Sequence, residues 1–184
     1  MSNFSISNLP LDGLKLIQRT QITDNRGFFS RLFCMEELTA AGWRKNIQQI
    51  NHTNTTFKGS IRGMHYQKNP HAEMKMVSCL NGEIYDVVID LRANSPTFLQ
   101  WHGELLSPKN QSSLIIPEGF AHGFQSLEPN CELIYLHSEP YKASYEAGLN
   151  FQDPLLSINW PIEVSEVSER DLLHKLIDKD FKGV

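Results

Sequence analysis

Two strand-like runs, EMKMVSCL and EIYDVVIDLR, meet at the pair Asn81-Gly82. An Asn-Gly pair between such runs is a strong signal for a β-hairpin, because both residues tolerate positive φ. Short runs of the same kind, bounded by turn residues, fill most of the chain: GLKLIQRTQI, DNRGFFSRLF, NIQQINHTN, GSIRGMHYQ, FLQWHGELL, SSLIIP, AHGFQSLE and CELIYLHSEPY. Many short strands with regular turns predict a mainly β protein, either a sandwich or a barrel.

Two segments depart from this strand pattern. MEELTAAGWR predicts a short helix near residue 38, with Gly42 placed to end it. Near the C-terminus, SERDLLHKLI places three leucines and Ile177 on one helical stripe. Ser168-x-x-Asp171 resembles a capping box with aspartate in the glutamate position, so a C-terminal helix is expected to begin there.

Length and charge limit the classes of protein that the chain can belong to. Its 184 residues suit one domain over 1–184, with a core at about 10–162 and a helical segment at about 166–180. A formal net charge of −4 argues against non-specific binding to nucleic acid or to an anionic membrane. The start MSNFSISNLP lacks the pattern of a signal peptide, and no apolar run approaches membrane-spanning length.

The cysteines point to a reducing compartment. There are three, an odd number, and none lies in a CxxC pair. A disulfide framework or a zinc site built on cysteine is therefore not expected. The expectation is a cytoplasmic protein whose cysteines are small core residues.

The stretch IRGMHYQKNPHAEMKMV, residues 61–77, is open to two chemical interpretations. His65, His71 and Glu73 could be half of a metal site. Alternatively, His65 could be a general base, with Arg62 and Lys75 forming a pocket for negative charge.

Arg62 and His65 must point the same way for the second interpretation to hold. Three residues is an odd step, so on a regular strand these two side chains would face opposite sides. Gly63 between them permits a bulge that would turn both into one cavity.

PEGFAHGF, residues 117–124, has PxGxxH spacing that resembles the second sequence motif of the cupins, whose His points into the barrel. The first cupin motif requires HxH, whereas this chain reads His65-Tyr66-Gln67. His71 and Glu73 would have to replace the lost ligands across the loop KNPHAE, which makes three well-aimed ligands difficult to assemble. The sequence therefore favours a site without metal.

The strand EIYDVVIDLR carries Asp86 and Asp90 on the same face as Ile84 and Val88. A solvent-facing strand is the simpler interpretation, and a barrel lumen lined by a polar site is the alternative. Tyr135 could be a hydrogen-bonded, half-buried tyrosine without a chemical role.

Taken in order, a series of motifs resembles the dTDP-4-dehydrorhamnose 3,5-epimerases over about residues 10–173. They are DNRGFF, QINHT, IRGMHYQ, MKMVSCLNGEIYDVVIDLR, SPTF, IPEGFAHGFQSL, ELIYLHSEPY, DPLLSINWP and SERD. The resemblance implies a cupin-type jelly roll that works as a homodimer without metal or cofactor. It also implies a nucleotide-linked 4-keto-6-deoxy sugar as substrate, and a place in deoxysugar synthesis such as that of lipopolysaccharide O-antigen.

The same resemblance implies roles for individual residues. His65 matches the general base, Asp171 the acid that pairs with it, and Tyr135 the general acid on the opposite sugar face. Lys75 and Arg62 match cationic residues of the pocket. The chemistry, and not the resemblance, favours Lys75 as the group that stabilises the enolate oxygen, with Asp86 as a weaker candidate for holding Lys75. The implied substrate-binding positions are Arg26, Gln49, Asn51, Arg62, His122, Tyr141, which would stack on the nucleobase, and Glu146.

Two positions depart from the family pattern, since Arg31 stands where glutamate is common and Ile50 where aspartate is common. They leave open a CDP- or GDP-linked sugar, and the sequence does not decide between inversion at C3, at C5 or at both. More distant alternatives are a metal-dependent cupin isomerase or dioxygenase and a non-catalytic module that binds sugar nucleotides.

Overall fold

The computed structural model describes residues 3–184. Over this range the chain forms short strands, as the spacing of turn residues predicts. The strands are β1 (Phe4–Asn8), β2 (Lys15–Arg19), β3 (Gln21–Asp24), β4 (Gly27–Ser30), β5 (Gln49–Thr55), β6 (Ile61–Gln67), β7 (Lys75–Asn81), β8 (Ile84–Asp90), β9 (Trp101–Leu106), β10 (Ser112–Ile116), β11 (Phe120–Ser126), β12 (Cys131–His137) and β13 (Glu146–Gly148).

The strands form two large antiparallel sheets. One has six strands in the order β1-β2-β10-β7-β12-β5, and the other has five in the order β13-β6-β11-β8-β9. The main core contains residues of both, among them Val77 from β7, Val88 from β8 and Phe124 from β11. Strands β3 and β4 form a separate hairpin.

The predicted hairpin at Asn81-Gly82 is wrong. Strand β7 pairs with β10 and β12, whereas β8 pairs with β9 and β11, so this turn carries the chain from one sheet to the other. Gly82 has φ +76°, and a Cβ there would lie 2.7 Å from Cys131 Sγ. Asn81-Gly82 therefore forms a tight, closely packed turn. The residues of a turn do not by themselves determine which strands hydrogen-bond to each other.

The first predicted helix is confirmed, and the second is shorter than predicted. Helix α1 spans Met35–Leu38, and a 3-10 turn at Thr39–Ala41 leads to Gly42 at φ +92°. Helix α2 spans only Glu169–Leu172, where the Ser168 side chain accepts a hydrogen bond from the Asp171 backbone N–H.

Beyond α2 the chain bonds to a neighbouring loop instead of continuing the helix. Asn150 donates to the Leu172 and His174 carbonyls, and Asp153 accepts from the Ile177 N–H at 2.5 Å. The three leucines of the stripe that predicted a long helix are exposed, Leu173 at 81%, whereas Ile177 packs against a core cluster. Within 3–184, no helix is both long and apolar enough to cross a membrane.

Both faces of β8 are buried, so the solvent-facing interpretation of Asp86 and Asp90 is wrong. Asp86 bonds His122 on the neighbouring strand at 2.8 Å. Asp90 instead accepts hydrogen bonds from the loop that follows β8, including Arg92 at 2.7 Å and Thr97 at 2.7 Å. Only the first aspartate belongs to the neighbourhood of the site.

Candidate active site

A cavity of about 1090 Å³ is lined by both sheets and by the segment around α2. Strands β5, β7 and β12 supply one wall, β6 and β11 supply the other, and the C-terminal segment covers part of the second wall. The lining includes Gln49, Asn51, Thr53, Arg62, His65, Glu73, Lys75, His122, Tyr135, His137, Tyr141, Glu146, Arg170 and Asp171.

The predicted bulge at Gly63 is confirmed, and it brings Arg62 and His65 to the same cavity. The pairing of β6 with β11 shifts register opposite His122 and Phe124. Gly63 has φ +130°, and a Cβ there would lie 2.5 Å from the Gly123 Cα. Two glycines in contact therefore allow the backbones to approach closely enough for the bulge to form.

His65 and Asp171 form a partly buried, hydrogen-bonded pair. His65 Nε2 lies 2.7 Å from Asp171 Oδ1, and the Gly63 backbone N–H donates to Oδ2 at 3.1 Å. Burial raises the pKa of the Asp171 carboxyl, but the hydrogen bond and charge of His65, the Gly63 N–H and the charge of Arg170 outweigh it, and the pKa falls to about 2. Asp171 is therefore ionised at neutral pH and presents a negative charge to the His65 ring.

The other ring nitrogen of His65, Nδ1, hydrogen-bonds to no described residue and is free to meet a substrate. Arg170 Nη2 lies 3.1 Å from Nε2, and Arg170 also pairs with Glu146 at 3.2 Å. Glu146 in turn accepts from the Tyr141 hydroxyl at 2.8 Å. This chain of contacts joins the cavity mouth, where Tyr141 is half exposed, to the His65–Asp171 pair.

Tyr135 lies on the opposite wall, on β12 of the six-stranded sheet. Its ring centre is 6.0 Å from that of His122 and 6.1 Å from that of His137. Burial is the main cause that raises the pKa of the Tyr135 phenol, and the negative charge of Asp86 adds to it. The phenol therefore remains protonated at neutral pH and can donate a proton.

A second ion-pair cluster lies on the same wall as Tyr135. Glu73 accepts from Lys75 Nζ at 3.0 Å and from His137 Nδ1 at 2.8 Å. Burial raises the pKa of Glu73, but these two partners outweigh it and the net change is downward. The suggestion that Asp86 holds Lys75 is wrong, because Glu73 does so and Asp86 bonds His122.

The metal set considered from the sequence does not assemble. His71 stands beside Tyr145, with ring centres 4.6 Å apart, and its Nδ1 is 4.0 Å from Glu139. Glu73 bonds Lys75 instead of approaching His65.

Most of the predicted binding residues meet at the cavity, but Arg26 does not. Gln49, Asn51, Arg62, His122, Tyr141 and Glu146 all line it. Arg26 lies at the turn of the β3–β4 hairpin, where it pairs with Asp24 and its side chain is 89% exposed.

Of the two positions that depart from the family pattern, Arg31 pairs with Glu37 at 2.7 Å and Ile50 is 58% exposed. Neither lines the cavity of its own chain.

Four residues near the reacting groups were not predicted from the sequence. Glu73 was considered only as a possible metal ligand, and His137, Arg170 and His174 were not singled out. The alternation of Tyr135 with His137 along β12 was an available signal, because residues two apart share a face. No local pattern identifies the other three, since their positions depend on contacts between distant segments.

The protein-family model for dTDP-4-dehydrorhamnose 3,5-epimerase matches residues 8–179 of this chain. The chain belongs to the dTDP-4-dehydrorhamnose 3,5-epimerase family. A relative of that name from Shigella flexneri is 41% identical over 160 residues, which cover 86% of this chain and 88% of the relative.

Solved structures of the family share the fold over nearly the whole chain. The epimerase from Bacillus anthracis, solved with TDP and PPi bound, has a TM-score of 0.91 and 36% identity, covering 95% of this chain and 99% of that one. The epimerase from Legionella pneumophila, in complex with dTDP-4-keto-L-rhamnose, has a TM-score of 0.90 and 37% identity, covering 94% and 92%. The predicted fold, a mainly β cupin-type jelly roll, is confirmed.

Proposed function

We propose that this member of the family inverts C3 and C5 of a dTDP-4-keto-6-deoxyhexose by proton transfer, without a cofactor. The observation that carries the proposal is the placement of a base and an acid on opposite walls of one cavity. His65, paired with Asp171, lies on the five-stranded sheet, and the protonated Tyr135 lies on the six-stranded sheet. A sugar between the two walls presents one face to each residue.

The 4-keto group acidifies the C–H bonds at C3 and C5. His65 Nδ1 takes the proton from one of these carbons, the C–H electron pair forms the C=C bond, and the carbonyl π pair moves to the oxygen. The Lys75 ammonium donates a hydrogen bond to that enolate oxygen. Tyr135 then delivers a proton to the opposite face: the C=C electron pair takes it, the C=O bond re-forms, and the carbon is inverted. Solvent restores the proton of Tyr135 and accepts the proton held by His65, so the same pair can act at the second carbon. Each positioned proton transfer contributes roughly 10²–10⁴-fold to the rate.

Asp171 orients the His65 ring through the contact at Nε2 and places a negative charge beside the imidazolium that forms when Nδ1 takes the proton. The cavity also contains cationic groups that can hold a diphosphate. Arg62 lines it, with Nε held by the Thr55 hydroxyl at 3.0 Å and Nη2 by the Asn54 carbonyl at 3.2 Å. A guanidinium fixed in this way can donate charge-assisted hydrogen bonds to phosphate oxygens. Tyr141, at the mouth, offers an aromatic face to the nucleobase.

We propose further that the chain is a single domain that functions as a homodimer, joined through the β3–β4 hairpin. Ile22, Phe28 and Phe29 on this hairpin are 59%, 69% and 60% exposed, which is unfavourable in water unless a partner covers them. Such a contact would also bring Arg26 to a cavity of the other copy.

The proposed location is the cytoplasm, where the free cysteines stay reduced, and the proposed pathway is deoxysugar synthesis of the O-antigen type.

The dimer is tested by sedimentation velocity on Phe28→Ser. We expect this variant to dissociate, whereas Leu155→Ser, which removes an equally exposed apolar side chain elsewhere, should not. If both variants sediment like the parent chain, the hairpin is not the interface.

The activity is tested by proton NMR in D₂O with dTDP-4-keto-6-deoxyglucose, following deuterium entry at C3 and C5. Exchange at both carbons with an L-configured product supports the 3,5-epimerase, and exchange at one carbon makes the protein a mono-epimerase. His65→Asn should lose exchange while still binding dTDP. If the parent chain shows no exchange, the same assay with the CDP- and GDP-linked sugars separates a different nucleotide from the absence of epimerase activity.

A further inference from the structure

His174 lies beside the catalytic pair although it is not part of the proposed reaction. Its ring stands edge-on to His65, with centres 5.6 Å apart. The space for it comes from Gly148, which pairs with His65 in the β13–β6 ladder, because a Cβ on Gly148 would lie 2.2 Å from His174 Nε2. The fold therefore holds this second imidazole close to the pair through direct packing.

The environment of His174 Nε2 is unusual for a polar atom. It is enclosed by protein, yet it has no hydrogen-bond partner. It points toward Asp171 Oδ1, which is 3.7 Å away and therefore beyond hydrogen-bonding distance. A buried polar atom without a partner calls for an explanation, and a ligand shared with its neighbours is one.

The three side chains match the donor set and the spacing of a transition-metal site. His65 Nε2, Asp171 Oδ1 and His174 Nε2 all lie within 4.8 Å of one another. Ligands at about 2.0–2.2 Å from a tetrahedral ion stand roughly 3.3 Å apart. The observed separations from Asp171 Oδ1, 2.7 Å to His65 and 3.7 Å to His174, lie on either side of that value. Small rotations of the side chains would suffice.

We propose that His65, Asp171 and His174 bind a divalent transition-metal ion such as Zn²⁺, which inhibits the enzyme by occupying its base. The inhibition rests on the proposed function, whereas the binding itself does not. Two imidazoles and a carboxylate are a suitable donor set for Zn²⁺, and three protein ligands leave a fourth position for water. A metal on His65 Nε2 would also break the hydrogen bond to Asp171 on which the base depends.

Arg170 opposes the ion and must move to admit it. Its guanidinium lies 3.1 Å from His65 Nε2 and 3.4 Å from Asp171 Oδ1, so its positive charge now occupies the region that the metal would enter. The Arg170 side chain is 56% exposed and is held by Glu146 at the cavity mouth, so it can swing outward. Removing this charge should strengthen metal binding.

The binding experiment uses Co²⁺, followed by visible absorption, and Zn²⁺, followed by competition with a chromophoric chelator. Native protein should bind one ion per chain, and His174→Gln should weaken binding at least about 10-fold. His52→Gln, which alters an exposed histidine that is also paired with a carboxylate, should bind like the native chain. Arg170→Gln should bind more tightly. The site does not exist if native protein binds neither ion or if His174→Gln binds as the native chain does.

Inhibition is measured separately, by deuterium exchange with and without Zn²⁺. In native protein Zn²⁺ should stop exchange and EDTA should restore it, while His174→Gln should remain active at the same Zn²⁺ concentration. Exchange that continues with the ion bound would overturn the inhibitory role. The binding assay contains no sugar, so it tests the metal site even if the proposed substrate is wrong. If the protein catalyses deuterium exchange but binds no metal, the metal site is ruled out and the proposed function stands.

Discussion

Replacing Asp171 by asparagine tests the central interaction of the proposed reaction. Asparagine has nearly the same shape, so its carbonyl oxygen can keep the hydrogen bond from the Gly63 N–H. Its NH₂ group would then face His65 Nε2 and make that nitrogen an acceptor, which moves the imidazole proton to Nδ1. The base would carry a proton on the atom that must receive one from the sugar.

The expected loss of rate in Asp171→Asn can be worked out from the pKa of the Asp171 carboxyl. The pKa of Asp171 is about 2 against an ordinary 3.8, which corresponds to about 2 kcal/mol of net favourable interaction with the ionised form. Burial acts in the opposite direction, so the attraction to His65 and its neighbours is at least this large. Part of this attraction comes from His65, and losing that part as the imidazolium forms should slow deprotonation by roughly 10–100-fold; the unfavourable tautomer adds to that loss.

The assay is deuterium entry at C3 and C5, with Asp153→Asn as control, because Asp153 is a buried carboxylate outside the cavity. The reasoning is refuted if folded Asp171→Asn exchanges within about threefold of the native rate.

The same variant tests stability. A carboxyl whose pKa is lowered by folding stabilises the fold at pH values above its unfolded-state pKa, and this stabilisation is lost as the pH falls toward its folded-state pKa. Asp171→Asn should flatten the pH dependence of unfolding between about pH 4 and pH 2.

Three further changes separate binding, inversion and folding. Tyr135→Phe should keep deuterium exchange but impair inversion by NMR, and a loss of all exchange would show that the assigned roles are wrong. Arg62→Met should raise KM for the nucleotide sugar by about 10–100-fold with little change in kcat, because it removes a charged hydrogen-bond donor. Gly63→Ala should lower the free energy of unfolding in urea by about 1–3 kcal/mol more than Gly27→Ala, since both have φ +130° but only Gly63 would meet a neighbour, the Gly123 Cα at 2.5 Å.

The sequence predicted most of the fold because strand length, alternation and turn residues are local properties. The Gly42 helix end and the Ser168 cap were predicted for the same reason. Pairing was predicted less well, since the Asn81-Gly82 turn looks the same whether it closes a hairpin or joins two sheets. The C-terminal stripe predicted a longer helix, but the backbone around Ile177 found hydrogen bonds to the Asp153 loop instead.

The site was predictable where one segment supplies the geometry. Gly63 between Arg62 and His65 was enough to predict a bulge and a shared cavity. The environment of Lys75 was not predictable, because its partner Glu73 lies in the preceding loop and is fixed by contact with a separate strand. Among residues 3–184, three hydrogen-bonded histidine–carboxylate pairs lie at or beside the cavity, and no sequence spacing relates their members: His65–Asp171, His122–Asp86 and His137–Glu73.

Their electrostatic settings give a physical reason why only one of these pairs suits a base. Burial raises the pKa of Asp86, so its carboxylate is the one least able to support an imidazolium. Glu73 is ionised, but Lys75 already shares its charge at 3.0 Å. Asp171 is held ionised well below its ordinary pKa, and its histidine has a second nitrogen free in the cavity. His65 can therefore accept a proton and be stabilised on doing so, which is what abstraction of a proton beside a ketone requires.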